Sequence, residues 1–146
     1  MCLTSNMPSI TIEARIANIS IITHFIDTVL PNIDKKIKTR MYIAADEVFS
    51  NIVRHGRLPQ NAAIDVNIDT TGDKAVITFT DSGVPFNPLE QGGLYVAPSN
   101  ANDRIDGLGT FLLAQIADGL EYQRRDETNI LTLTFDLYAC KKPQPQ

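Results

Sequence analysis

Cysteine is scarce in this chain, and no excess or cluster of basic residues appears. The two cysteines, Cys2 and Cys140, stand near opposite ends of 146 residues. That placement argues against a disulfide framework and fits a reducing cytoplasm. No apolar run approaches the roughly 20 residues that a membrane span needs, so no membrane partner is expected. The opening Met1-Cys2-Leu3-Thr4-Ser5-Asn6 lacks the basic-then-apolar layout of a signal peptide. Net charge is −4, which weighs against direct nucleic-acid binding. There is no internal repeat, and low complexity is confined to Lys141-Lys142-Pro143-Gln144-Pro145-Gln146.

What is present is a globular balance: 43% hydrophobic and 21% charged residues, at a length that suits one domain with one core. Residues 9–138 are expected to form that domain. Residues 1–8 are expected to be disordered, and 139–146 to be a flexible tail. Ser9-Ile10-Thr11-Ile12-Glu13 alternates and predicts a first strand. Asn18 suits a helix N-cap. After it Ile19, Ile22, Phe25, Ile26, Val29 and Leu30 recur at helical spacing up to Pro31. Asp34 suits the cap of a second helix running to about His55, where Gly56 stops it. Its core stripe is Ile37, Met41, Ala44, Ala45, Val48 and Ile52. Ile64, Val66 and Ile68 alternate with Asp65, Asn67 and Asp69, which predicts a strand with one wet face. Thr70-Thr71-Gly72-Asp73 turns that strand into the next. The chain closes with a hairpin of Leu120–Arg124 and Asn129–Leu137 across Asp126-Glu127-Thr128.

Three polar features stand out against this frame. In Ala75-Val76-Ile77-Thr78-Phe79-Thr80-Asp81, side chains two apart share a face, so Asp81 ends the row Ala75, Ile77, Phe79 that faces the core. A buried carboxylate is costly without hydrogen-bond donors, and Gly83 allows a backbone or flat ligand to come close. An amino-bearing ring such as adenine suits that acid; an ordinary Asp-Ser-Gly turn is the other reading. Glu47 and Asn51 lie one turn apart on one side of the second helix, beside its buried stripe. They form either part of a site or a solvated helix edge. Gly107-Leu108-Gly109-Thr110 opens a helix after the aperiodic segment 82–106. Its backbone N–H groups suit a phosphate, and a segment that long suits a lid.

In their order, these three features resemble the GHKL ATP-binding fold of gyrases, heat-shock chaperones and sensor histidine kinases. Within it they are most similar to the bacterial anti-sigma-factor serine/threonine kinases. Ala45-Asp46-Glu47-Val48-Phe49-Ser50-Asn51-Ile52-Val53-Arg54-His55-Gly56 resembles their N box. Asp81-Ser82-Gly83-Val84-Pro85-Phe86-Asn87-Pro88 resembles their G1 box, and Gly107-Leu108-Gly109-Thr110-Phe111-Leu112-Leu113 their G2 box.

The resemblance implies a role for each matching residue. Asn51 would hold Mg²⁺ against the ATP phosphates. Asp81 would accept from the adenine amino group, with Gly83 admitting the ring. Gly107, Leu108, Gly109 and Thr110 would hold phosphate, with Arg104 the nearby cation. Glu47 would take the proton from an attacking hydroxyl. Asp106 departs from the family pattern, standing where many relatives have another glycine, and Asn87 replaces a frequent acid. The implied fold is α+β, a two-layer sandwich with a mixed, mostly antiparallel sheet and helices on one face. The implied protein is a cytoplasmic, ATP- and Mg²⁺-dependent kinase, a homodimer. It would bind a sigma factor and phosphorylate an anti-anti-sigma protein. The alternatives are a nucleotide-binding partner switch without transfer and an ATPase domain related to sensor histidine kinases.

Overall fold

A computed structural model describes residues 7–87 and 112–138 of the chain. The elements are β1 (Ser9–Glu13), α1 (Ile19–Val29), α2 (Lys35–His55), β2 (Ala63–Thr71), β3 (Lys74–Asp81), β4 (Gly119–Arg125) and β5 (Thr128–Asp136). A further helical turn covers 112–116. The strands form one sheet in the order β1-β2-β3-β5-β4, and the fold is α+β, as the sequence implies.

Every described pairing is antiparallel, in line with the mostly antiparallel sheet expected, and no parallel pair stands among the described residues. The reason is topological. β3 and β4 follow one another across a long connection and run in the same direction, the usual setting for parallel pairing. Here β5 returns between them and bonds to both, so the two parallel neighbours never touch.

Alternation decides which sheet face meets the helices. Ile64, Val66 and Ile68 of β2, Ala75, Ile77 and Phe79 of β3, and Leu131, Leu133 and Phe135 of β5 are all buried. The residues between them are partly or fully exposed, so one face is core and the other wet. The helices supply Ile22 and Ile26 from α1, and Ile37, Met41, Ala44, Ala45, Val48 and Phe49 from α2. Ala44 and Ala45, both fully buried, carry no side chain beyond Cβ to hold the helix off its neighbours.

Helix ends follow local chemistry. Asp34 caps α2 by accepting from Lys36 N at 2.8 Å. Asn18 does not cap α1, contrary to expectation. The chain enters α1 through a 3₁₀ turn, Ile16–Asn18, so Asn18 has near-helical rather than extended torsions. Its amide donates instead to Glu13 O at 3.0 Å. The two helices are fastened at Asp27, which pairs with Lys38 at 3.4 Å and accepts from the Tyr42 hydroxyl. That bond, and after it burial, pushes the Tyr42 phenol up to about 12, while the same hydroxyl holds the Asp27 carboxyl below its ordinary range.

The two hairpins use different turn residues. Gly72, at φ +60°, turns β2 into β3, where a glycine suits the left-handed region. β4 turns into β5 on Asp126 and Glu127, both at positive φ (50° and 65°). Two such residues in a two-residue loop match the twist of a tight hairpin, but only glycine adopts them without strain. Glu127→Gly should therefore raise stability by about 0.5–1 kcal/mol, the left-handed penalty relieved less the added unfolded-state entropy. Urea unfolding checks this; a lower midpoint in the variant would contradict it.

Candidate functional site

The carboxylate of Asp81 sits where the strand pattern puts it, at the inward end of β3 and 6% exposed. Two donors compensate its burial. Gly83 N–H reaches Oδ1 at 2.8 Å and Asn129 Nδ2 reaches the same oxygen at 3.0 Å. Oδ2 takes part in neither bond. Asn129 stands directly across the ladder from Asp81 in the β3–β5 register.

The end of α2 closes the other side. Gly56 O accepts from Val84 N at 2.9 Å, so the helix terminus is stitched to the turn after β3. This bond needs close backbone approach. A Cβ on Gly83 would lie 2.5 Å from Gly56 O and 2.9 Å from Asp81 Oδ1. The missing side chain of Gly83 thus makes room for the helix end and for its own bond to Asp81. Gly56, not Gly83, is among the residues that line the adjoining cavity.

That cavity is walled by Val48, Ile52, Leu113, Leu131, Phe86 and Tyr122, and Asn51, Asp81 and Asn129 are its polar groups. Asn51 is buried, 4% exposed, on the last turns of α2. Phe86 stacks on His55, with ring centroids 5.9 Å apart and planes at 15°. The enclosed part of the cavity holds about 30 Å³, room for about one water. Few convergent polar groups on apolar walls is the usual composition of a small-molecule site.

Of the residues singled out from sequence, Asn51 and Asp81 meet in this cavity. Glu47 is half-buried one turn before Asn51 and is not part of the lining. Arg104, Gly107, Leu108, Gly109 and Thr110 lie outside the described residues, as do Asp106 and the segment 88–106. Leu113, at the end of the third motif, is buried in the cavity wall. The turn that carries it is fastened at its far end by Arg40, whose Nε and Nη2 donate to Ile116 O at 2.9 and 2.5 Å. Among the described residues no group of three or more His, Cys, Asp and Glu could hold a metal ion, so a cation here would lean on Asn51 and on the ligand's own oxygens. Sequence reasoning missed Asn129. The signal was available, because Asn129 is in phase with Leu131, Leu133 and Phe135, by the argument that turned Asp81 inward.

Gly83→Ala tests the stitch between α2 and β3. The atom struck is a backbone carbonyl that cannot swing away, so the variant should lose about 1–3 kcal/mol, the usual range for overpacking. Thermal and urea melts measure it; wild-type stability would mean that the turn has slack.

Comparison with known proteins follows the same ground. Residues 12–135 match the family described as histidine kinase-like ATPase domain. The curated serine/threonine-protein kinase BtrW of Bordetella bronchiseptica is 31% identical over 100 residues, 68% of this chain and 70% of that protein. The family match runs from the end of β1 almost to the end of β5 and takes in both sides of the cavity. This chain is a member of the histidine kinase-like ATPase domain family.

Proposed function

We propose that the protein is an ATP- and Mg²⁺-dependent serine/threonine kinase that acts as an anti-sigma factor, binding a sigma factor and phosphorylating an antagonist protein. The observation that carries this reading is the convergence of Asn51 and Asp81 in one apolar cavity, in a chain similar to a curated serine/threonine-protein kinase. The partner roles, the cytoplasmic setting and a homodimeric state come from the likeness of the three sequence motifs to the anti-sigma-factor kinases.

The donor set suits the nucleotide. With Oδ1 of Asp81 engaged by Gly83 and Asn129, Oδ2 is left to accept from an adenine amino group. Apolar side chains above and below suit the flat ring. Asn51 offers an amide oxygen, an appropriate ligand for Mg²⁺, which commonly takes one or two protein ligands and completes its shell with phosphate and water. Bound Mg-ATP would supply the transferable phosphoryl group and neutralise its charge. The protein's own part is to orient and to move a proton. Glu47, one turn from Asn51 and outside the cavity lining, suits a group that meets the incoming hydroxyl rather than the nucleotide. It would take the proton of that serine or threonine as its oxygen attacks.

Asp81→Asn should weaken ATP binding about tenfold or more. Gly83 and Asn129 would hold the carboxamide oxygen in the Oδ1 position, leaving its NH₂ where Oδ2 had been, donor against donor. An unmet buried polar group costs about 1–3 kcal/mol. Titration calorimetry on the folded variant decides, and unchanged affinity would remove Asp81 from the site.

Glu47 and Asn51 separate binding from transfer. Asn51→Ala should impair Mg-ATP binding and phosphorylation together. Glu47→Gln should bind ATP with near-normal affinity while transfer to the antagonist falls by about 10²–10⁴-fold, the usual worth of a general base. Radiolabelled transfer in parallel with calorimetry measures both. Normal transfer by Glu47→Gln would leave the kinase reading without its base. ATP binding without transfer to the true antagonist, in the wild type, would select the partner-switch alternative.

A further inference from the structure

The side chains behind Asp81 form a chain of hydrogen bonds that reaches the protein surface. Asn129 Oδ1 accepts from the Tyr122 hydroxyl at 2.5 Å and from Arg124 Nη1 at 3.1 Å. A guanidinium only donates, so it fixes which end of the Asn129 amide faces β4. The amide NH₂ must then point the other way, and three acceptors await it there. They are Asp81 Oδ1 at 3.0 Å, Val84 O at 2.9 Å and Gly83 O at 3.3 Å. Arg124 Nη1 also donates to Gly83 O at 2.6 Å, so the same guanidinium ties down the turn whose N–H is the other donor to Asp81. The amide orientation is thus enforced from both sides. Its consequence at the site is that Oδ1 of Asp81 receives two donors, and Oδ2 is the oxygen that remains for a ligand.

We propose that Asn129, held by Tyr122 and Arg124, is a positioning residue that makes this site selective for 6-amino purines over 6-oxo purines. The inference rests on the reading of the cavity as a nucleotide site and deepens it. An acceptor-only oxygen pairs with an exocyclic amine, and opposes the carbonyl oxygen that inosine carries at the same ring position. An ionised carboxylate accepts at both oxygens, so what Asn129 supplies is position: without its donor Asp81 would be free to turn, and the distance and angle at which it meets the ring's amino group or carbonyl would no longer be fixed. Selectivity then depends on a residue in the last strand, and beyond it on Arg124, whose side chain is exposed.

The test compares the affinities of ATP and inosine triphosphate by titration calorimetry for the wild type, Asn129→Asp and Arg124→Gln. The wild type should prefer ATP. Asn129→Asp is isosteric but sets a carboxylate against Asp81, and two adjacent carboxylates must share a proton. Its ATP preference should fall by about tenfold. Arg124→Gln removes an exposed guanidinium and no core atom; it should fold, and its preference should fall severalfold. Should Asn129→Asp fail to fold, Arg124→Gln decides alone. A purely structural role would weaken both nucleotides equally, and an unchanged ratio in folded Arg124→Gln would overturn the assignment while leaving the ATP reading intact. Failure of the wild type to bind ATP would instead overturn the nucleotide reading on which the assignment stands.

Discussion

A carboxylate at the inward end of a core strand is the constraint around which this domain is arranged. Burying the Asp81 oxygens without donors would be prohibitive on the scale of a domain's total stability. Gly83, Asn129, Tyr122, Arg124 and the terminus of α2 all bear on that one group, directly or through a neighbour. They come from four parts of the chain: the end of α2, the turn after β3, β4 and β5. α2 ends where its carbonyl can meet the turn after β3, and β5 pairs in the register that sets an amide opposite the acid. An apolar residue at position 81 would need none of this, and a local exception to the core pattern is what the proposed nucleotide site would require.

The same network explains why the cavity combines apolar walls with few polar groups. The sheet and α2 bury their alternating apolar residues against one another, and the cavity lies where that stripe gives way to Asn51 on one side and Asp81 on the other. Leu113, the last residue of the third motif, enters the wall from the helical turn 112–116, and Arg40 anchors that turn to α2 by its terminal carbonyl. Cavity and core are therefore continuous, and a side chain such as Val48 belongs to both.

Much of this was legible in the sequence, for physical reasons that can be named. Strands with a wet face declare themselves by strict alternation, so β2, β3 and β5 and the inward aim of Asp81 follow from spacing alone. α2 is bounded by Asp34, which caps it as its chemistry suggests, and by Gly56, which ends it in a right-handed conformation while the next residue, Arg57, takes the positive φ. The sheet order did not follow, because nothing local says that β5 inserts between β3 and β4; that is decided by long-range pairing. Asn18 misled because capping depends on torsions that the preceding 3₁₀ turn altered. At the site, Asn51 and Asp81 were reached through the motifs. The openness of Gly83 also serves the backbone of α2, a contact that spacing alone does not reveal. Asn129, Tyr122 and Arg124 carry no motif of their own, and their meaning appears only once the register between β3 and β5 is known.

That inserted strand has a consequence for how the protein comes into being. Asp81 and its amide partner are separated by 48 positions in the chain, and β5 follows every other described element. The hairpin of β2 and β3 can close early, since it spans a two-residue turn. The pairing of β3 with β5 must wait for a much larger loop, whose closure entropy is unfavourable and slows folding. During synthesis from the N-terminus, the acid at position 81 therefore emerges well before the amide that compensates it. A nascent chain lacking its last strand has no completed binding site, so any ligand or partner that needs the site must await release of nearly the whole domain.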